Sequence, residues 1–202
     1  MPRPVHDTSA ILDAAVRLLA TGSADAITIA GVIREAAVSS GSVYHRFPNR
    51  AALLAAVWNR AVQGFHAELY PLFDGEPVTA AAALGRRTVS WCRANPADAR
   101  VLLAGLGSFE PAAWPEESRS AREADQANWD RHIRRLVTDL KAATGRATAE
   151  ILLIVLDLPY AAVRRYLSAD RDIPATLDGI VEQIIRSQLT PAGGPISVPQ
   201  WT

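Results

Sequence analysis

The chain has 202 residues, of which 49% are hydrophobic and 21% are charged. These proportions are typical of a globular protein and exclude a fibrous or disordered chain. Basic residues (Lys and Arg) and acidic residues (Asp and Glu) both number 21, so the formal net charge is zero. Any basic surface must therefore be local, and net charge neither supports nor excludes nucleic acid as a partner.

Cysteine content and hydropathy predict a cytoplasmic protein. Cys92 is the only cysteine, which excludes an internal disulfide and a CxxC metal or redox motif. The first residues lack the apolar run of a secretory signal peptide. The most apolar run, residues 151–156, is followed by Asp157 and Pro159 and is far shorter than the roughly 20 apolar residues that cross a bilayer. We therefore expect neither export nor a membrane span.

Apolar residues recur at helical spacing in almost every segment, and no sustained strand-like alternation occurs. This pattern predicts an all-α protein of about nine helices. The first helix carries the apolar stripe of residues 11–19. Residues that cap helices well mark the starts of the next three predicted helices. They are Thr28 for the second helix, Ser39 or Ser40 for the third and Asn49 for the long fourth helix.

Five further helices are predicted after a break in the pattern at residues 72–78. They span residues 79–94, 96–104, 115–144, 148–167 and 174–189, with a loop at 105–115. Residues 191–202 contain a Gly-Gly pair and three prolines, and they are predicted to form a loose tail.

Residues 28–47 have the pattern of a helix-turn-helix motif. Two short predicted helices are joined by a turn of three to four residues, and the second helix begins in small polar residues, as entry into the DNA major groove requires. At this point residues 8–58 resemble the TetR family of bacterial transcriptional regulators; beyond Trp58 the resemblance rests on helix count alone. The positions that carry it are Thr28, Val38-Ser39, Gly41, Tyr44, Phe47, Arg50 and Leu53-Leu54.

The resemblance implies a one-component regulator, most often a repressor, that binds a palindromic DNA operator as a homodimer. Residues 1–50 would form the DNA-binding domain. Residues 51–190 would bind a small-molecule effector, whose identity the sequence does not reveal, and would dimerise through the last two helices. Residues 151–163 and 173–189 are apolar enough for such a four-helix interface; the alternative is that they are core helices of a monomer.

Side-chain spacing predicts which face of the third helix meets DNA. Val43 and Phe47 lie four residues apart and would anchor the helix to the core. Gly41 would let the helix N-terminus approach the duplex closely. The candidates for base contacts are Ser40, Ser42, His45 and Arg46, of which Arg46 with guanine is the most specific option.

Other candidate contacts set the position of the protein on DNA without reading sequence. Thr28, Tyr44 and Arg50 match positions that usually hold phosphates in the resembled family. Ser39, at the start of the third helix, belongs to the same surface. Arg3, on an N-terminal arm, could reach the minor groove, as such arms do in homeodomains.

Three positions depart from the family pattern. Ala37 stands where the family favours glycine in the turn, which would cost about 1 kcal/mol if the residue is left-handed. Ile33 replaces the usual small residue of the second helix, and Gly31 replaces a common acidic one. The second helix is therefore expected to pack differently.

A purely structural interpretation of the motif is also open. Tyr44 and Phe47 could be core aromatics, and residues 39–42 an ordinary loop. Residues 1–50 hold five arginines against four acidic residues, a net charge of +1, which is a weak electrostatic footprint for a DNA-binding protein.

The larger C-terminal part offers weaker candidates for an effector site. Aromatic residues with polar groups line many apolar pockets, although any of them can also be ordinary core. Asp157 interrupts an apolar helix, so we expect it to be a pocket acid or a partner of His132 or of an arginine; the alternative is a kink at Pro159 that turns Asp157 into solvent. The candidates besides Asp157 are Trp91, Phe109, Trp114, Trp129, His132, Tyr160 and Tyr166.

Catalysis has little support in the sequence. The chain lacks the GxSxG, HExxH and GxxxxGK[ST] motifs. Its four histidines are too far apart in sequence for a local metal motif, so we predict no enzyme, cofactor or metal. The alternative functions are a helical-bundle small-molecule binding protein or enzyme without DNA activity, and a protein-binding adaptor.

Overall fold

The computed structural model describes residues 8–20 and 23–190, and this part of the chain contains helices and no strand. Residues 148–167 are counted as one helix, although their middle segment, Leu153–Asp157, is π-helical; the described residues then form nine α-helices. The prediction of an all-α fold with about nine helices is confirmed. The helices are α1 (Thr8–Ala20), α2 (Ile29–Ala36), α3 (Ser40–Arg46), α4 (Arg50–Leu69), α5 (Pro77–Ala94), α6 (Pro96–Ala104), α7 (Glu116–Thr144), α8 (148–167) and α9 (Leu177–Leu189).

Side-chain caps explain where the N-terminal helices begin. The Thr28 hydroxyl accepts a 3.0 Å hydrogen bond from the Gly31 N–H. Ser39 caps α3 in the same way, through the Ser42 N–H at 3.3 Å. The caps predicted at Thr28, at Ser39 and at Asn49 are all confirmed.

Two predicted helix starts are wrong. Helix α5 begins at Pro77 rather than Thr79, because the Glu76 carboxylate accepts hydrogen bonds from the N–H groups of Val78 and Thr79. Helix α9 begins at Leu177 rather than Pro174. The Pro174 carbonyl instead accepts hydrogen bonds in a turn from the Leu177 N–H and from a side chain of α5.

The buried apolar residues form two cores that share α4. The N-terminal core holds α1, α2, α3 and the first half of α4, together with Val101, Phe109 and Trp114 from the following elements. The second core holds the end of α4 with α5, α7, α8 and α9. Helix α4 therefore connects the helix-turn-helix directly to the larger core.

Helices α5 and α9 pack against each other with very little space between them. A Cβ atom added at Gly85 would lie 2.1 Å from the Ile185 Cδ1 and 3.3 Å from the Val181 Cγ1. A side chain at position 85 would force the end of the Ile185 side chain to move, because the two helices approach closely here. Among the described residues, no helix has the length and apolar character needed to cross a membrane.

Candidate DNA-binding surface and ligand cavity

The turn between α2 and α3 has the geometry of a helix-turn-helix. Ala37 ends α2 in the left-handed conformation, with φ of 52° and ψ of 40°. This conformation costs an L-residue other than glycine roughly 1–2 kcal/mol, so the expected strain at Ala37 is present. Val43 is fully buried and Phe47 is 6% exposed, which fixes α3 to the N-terminal core as predicted.

The opposite face of α3 is open to solvent. Tyr44 is 53% exposed, and Ser39, Ser40, Gly41 and His45 are exposed beside it. An exposed tyrosine ring on a short helix contributes nothing to the core. The alternative in which Tyr44 is a core aromatic is therefore wrong. Phe47, in contrast, is a buried core residue.

Arg46 is folded back along α3. Its Nη1 donates a 3.1 Å hydrogen bond to the Ser42 carbonyl, and its Nε donates one of 3.1 Å to the Thr8 hydroxyl of α1. The contact with Thr8 is exposed and that with Ser42 is partly buried, and both acceptors are neutral. The side chain can therefore rotate toward a base edge at modest cost.

Arg50 is placed differently from the prediction that it is a phosphate ligand. Its Nε and Nη2 donate hydrogen bonds to the carbonyls of Ile27 (2.7 Å) and Ala24 (3.0 Å). Its Nη1 donates one of 2.5 Å to the Glu110 carboxylate. The guanidinium is committed to contacts within the chain, so in this conformation Arg50 is a structural link rather than a free phosphate-binding group.

The departures at Gly31 and Ile33 have a packing explanation. A Cβ added at Gly31 would lie 2.9 Å from the Thr28 Oγ1 and 3.2 Å from the Leu18 Cδ1. Helix α2 thus packs closely on α1 at Gly31, and Ile33 supplies bulk beside the same core.

Of the other predicted DNA contacts, Thr28 is exposed at the start of α2. Arg3 lies outside the described residues, as does the predicted tail at 191–202.

The larger core encloses an apolar cavity of about 260 Å³. Helices α4, α5, α6, α7 and α8 surround it. The hydroxyl of one lining residue, Thr88, is already donated to the Leu84 carbonyl at 2.9 Å. Burial raises the pKa of a second, Cys92, to about 12, so that its thiol is neutral. The lining residues are Phe65, Leu69, Leu84, Thr88, Cys92, Ala99, Leu102, Leu103, Trp129, Ile133, Val155, Leu156, Tyr160, Val163 and Leu167.

Two of the predicted effector residues, Trp129 and Tyr160, line this cavity. Trp91 is buried behind the wall, with its ring 5.1 Å from that of Phe65. His132 lies against Phe73, and its Nδ1–H donates a 2.9 Å hydrogen bond to the Asn128 carbonyl of the same helix.

The other predicted effector residues lie away from the cavity. Phe109 and Trp114 belong to the N-terminal core, where Phe109 packs 5.4 Å from Trp58. Tyr166 packs beside Arg171. Asp157 is exposed, so its interpretation as a pocket acid is wrong. It lies four residues after Leu153, which is 60% exposed, and helical periodicity turns both to the same outer face.

A buried polar cluster lies beside the cavity wall and was not predicted. The His66 ring stacks on the Trp129 ring, with centroids 4.2 Å apart and an angle of 4° between the planes. The His66 Nδ1 lies 2.7 Å from the Asp125 Oδ2, and the Tyr70 hydroxyl donates to Asp125 at 3.3 Å. Burial lowers the pKa of His66, although Asp125 acts in the opposite direction. The cluster joins α4 to α7 where Trp129 meets the cavity.

The N-terminal residues match a known family. Residues 11–57 match the family model described as bacterial regulatory proteins, tetR family. These residues therefore have the sequence pattern of the TetR-family N-terminal region. None of the curated proteins matches the chain.

Solved structures of TetR-family proteins share the fold of nearly the whole chain. A TetR-like regulator from Rhodococcus sp. RHA1 is 19% identical, with a TM-score of 0.65 over 96% of this chain and all of that one. A TetR-family regulator from Bordetella parapertussis 12822 is 18% identical, with a TM-score of 0.66 over 98% and 100% of the two chains. FadR from Bacillus subtilis, solved in complex with stearoyl-CoA, is 15% identical, with a TM-score of 0.63 over 89% and 98%.

Some contacts in the structure could not be predicted from the sequence. Phe65 and Leu69 follow the apolar stripe of α4, so their burial was predictable, but not that they line a cavity. His66 and Asp125 are 59 residues apart, and Arg50 and Glu110 are 60 apart. No local spacing marks either pair.

Proposed function

We propose that this TetR-family protein is a ligand-responsive transcriptional repressor that binds a palindromic operator as a homodimer. The observation that carries the proposal is the solvent-exposed face of α3, with Tyr44 projecting beside Gly41 from a helix anchored by Val43. Gly41 has open space where a Cβ would stand, so the helix N-terminus can approach a phosphate or base edge closely. Ser40, His45 and a rotated Arg46 would supply base contacts.

Exposed apolar side chains on α8 and α9 support dimerisation. Leu153 is 60% exposed, Ile180 is 49% and Ile184 is 38%. Large apolar side chains grouped on neighbouring helices favour burial against a second copy. The two α3 helices of such a dimer would meet half-sites one or more turns of about 34–36 Å apart.

The cavity supports response to an apolar effector. Phe65 and Leu69 of α4 form part of its wall, and the opposite end of α4 carries Arg50, which holds the start of α2. An effector that prefers a shifted α4 would move the recognition helix. A coupling of about 1–3 kcal/mol would change DNA affinity about 5- to 150-fold. Solved structures with the same fold include a fatty acid degradation regulator from Bacillus halodurans and a transcriptional regulator in complex with stearoyl-CoA, which agrees with this effector chemistry.

Fluorescence anisotropy with duplexes from upstream of the protein's own gene, at several salt concentrations, tests the proposal. We expect tight, salt-dependent and sequence-selective binding that Tyr44→Ala loses. Arg134→Ala, on the exposed surface of α7, is the control and should bind normally. Thermal unfolding of Tyr44→Ala should match the wild type because the ring is outside the core.

The Arg46→Ala variant separates base reading from phosphate binding. The substitution should reduce the binding free energy by about 1–3 kcal/mol through one operator base, and it should weaken the preference for that base. Equal losses on operator and random DNA would instead assign Arg46 to the phosphates. Absence of selective binding to any upstream or genomic fragment would favour the alternative, a helical-bundle binding protein or enzyme without DNA activity.

A further inference from the structure

The cavity in the larger core has a wall of uncharged side chains. Among the described residues that line it, none is an arginine, a lysine, a histidine or an acid. Its polar groups are the Thr88 and Tyr160 hydroxyls, the Cys92 thiol and the Trp129 indole N–H. The Thr88 hydroxyl already donates to the Leu84 carbonyl, and the high pKa of Cys92 keeps its thiol neutral. The wall therefore offers no counter-ion to a charged ligand.

A charged group placed in this cavity would lose its hydration and gain no partner. Transfer of an isolated carboxylate or ammonium group into such surroundings is strongly unfavourable. The polar cluster of His66, Asp125 and Tyr70 does not compensate for it, because these groups bond to one another behind the Trp129 ring. Hydrocarbon and aromatic surface, in contrast, gains dispersion contacts with the wall. The chemistry of the wall thus selects an uncharged, largely apolar molecule.

The volume of the cavity limits the size of that molecule. The cavity holds about 260 Å³, whereas an apolar cavity of about 150 Å³ is enough for one benzene ring. In proportion, the larger volume corresponds to roughly ten carbon atoms, the size of two fused rings. The rings of Phe65, Trp129 and Tyr160 in the wall offer faces and edges to a flat ligand. The cavity therefore favours a compact ring system.

The proposed dimer does not fill this cavity. The exposed apolar residues that support dimerisation, Leu153, Ile180 and Ile184, do not line it, and neither does any described residue of α9. Two partly exposed wall residues, Leu102 and Ile133, lie on α6 and α7. Because these helices are outside the proposed interface, access from their side does not require an open outer face of α8.

We propose that the effector is an uncharged, compact apolar molecule of about ten carbon atoms, a two-ring aromatic or terpenoid compound, that the cavity encloses without a charged anchor. The inference deepens the proposed effector response and rests on it. The cavity lies just below the about 300–1,000 Å³ of ordinary small-molecule sites, which agrees with a ligand of this size.

Calorimetric titration of the full chain without DNA tests the proposal with 2-naphthol and 2-naphthoate. The two probes share a rigid two-ring skeleton, and at neutral pH only the carboxylate is charged. We expect 2-naphthol to bind at least about tenfold more tightly than 2-naphthoate. Equal affinities, or no binding of 2-naphthol, would overturn the proposal.

Variants that change the volume of the cavity assign the binding site. Ala99→Leu enlarges a side chain of the wall and should weaken 2-naphthol binding at least about tenfold. Ala143→Leu makes the same change on the exposed surface of α7 and should leave the affinity within about twofold of the wild type. Thermal unfolding verifies that each variant folds.

Ile133→Ala, which enlarges the cavity, keeps the test decisive if Ala99→Leu does not fold. It should improve the binding of the three-ring 2-anthracenol relative to 2-naphthol, because the wall recedes from the ligand at this residue. A ratio of the two affinities that stays at the wild-type value, or 2-naphthol binding that survives Ala99→Leu, would overturn the assignment to this cavity.

Decanoyl-CoA tests the alternative in which an acyl chain with a charged carrier occupies the cavity. Tighter binding of this probe than of 2-naphthol would overturn the proposal. Because the titrations contain no DNA, their failure is separate from a failure of operator binding. A protein that binds its operator but not 2-naphthol would retain the proposed repressor role and lose only this effector class.

Discussion

The Arg50 guanidinium and the Glu110 carboxylate form a 2.5 Å contact between the start of α4 and the loop that precedes α7. Glu110 holds this position with a φ of 53°, in the left-handed region. The same guanidinium also binds the carbonyls of Ala24 and Ile27. One side chain thus ties the residues before α2 to the loop that carries Phe109 of the N-terminal core.

Arg50→Ala should therefore lower stability as well as DNA binding. It removes three hydrogen bonds and leaves the part-buried Ile27 and Ala24 carbonyls without this donor, so we expect a loss of about 1–3 kcal/mol in the free energy of unfolding. Urea denaturation measures it. Glu110→Gln, which removes only the charge, should cost less. The opposite result would be unchanged stability, weaker binding to all duplexes, and a plot of log affinity against log salt concentration that is flatter by about one. It would support the phosphate contact predicted for Arg50.

Gly41→Ala should stabilise the free protein and weaken its complex with DNA. An added Cβ meets no atom of the protein within 4 Å, and alanine favours a helix over glycine by up to about 1 kcal/mol. On DNA the same methyl would stand between the helix and the duplex. Gly64→Ala, a matched change on the exposed face of α4 with equal free space, should stabilise without affecting DNA affinity. Operator binding by Gly41→Ala at full strength would contradict close approach at this residue.

Gly85→Ala should destabilise the larger core by about 1–3 kcal/mol, because the new methyl group overlaps the Ile185 Cδ1. Adding Ile185→Val removes that carbon atom and should recover part of the loss, as a thermal unfolding series can measure. Gly64→Ala serves again as the control. If the double variant loses more stability than the two single variants together, contacts other than the one with the Ile185 Cδ1 limit the approach of α5 and α9.

His66 should make stability fall in mild acid. Burial lowers its pKa in the folded state below the ordinary 6.5, so the unfolded chain takes up the proton first as the pH falls. The contribution of neutral His66 is complete above about pH 6.5 and is lost progressively below that value. Chemical denaturation between pH 7.5 and 5 should show a smaller slope for His66→Gln than for the wild type. His45→Gln, on the exposed face of α3, should retain the wild-type slope; equal slopes in all three proteins would exclude His66 as the cause.

Charge placed on the exposed face of α9 should separate the proposed dimer. Ile180→Glu with Ile184→Glu puts two like charges where two apolar side chains would be buried against the partner. Sedimentation velocity should show a mass near the 21.7 kDa of one chain and weaker operator binding. Ala143→Glu on the surface of α7 should leave the assembly unchanged. A dimer that survives the double change would place the interface elsewhere.

Features that depend on neighbouring residues could be predicted, and those that depend on distant contacts could not. The caps at Thr28 and Ser39 act on N–H groups three residues away, so sequence alone locates them. Asp157 was misplaced because an apolar run on a helix extends round to its outer face, where Leu153 is also exposed. Phe109 was assigned to an effector site because nothing in its loop indicates that the loop folds back onto α4.

The neutral thiol of Cys92 makes the native chain suitable for site-specific labelling. With a pKa of about 12, this thiol holds almost no thiolate at neutral pH and would react slowly with maleimides. A cysteine introduced at the exposed His45 position would react first, without removal of the native one. A donor and an acceptor dye placed there on the two subunits of the proposed dimer would measure the distance between recognition helices directly, with and without an effector.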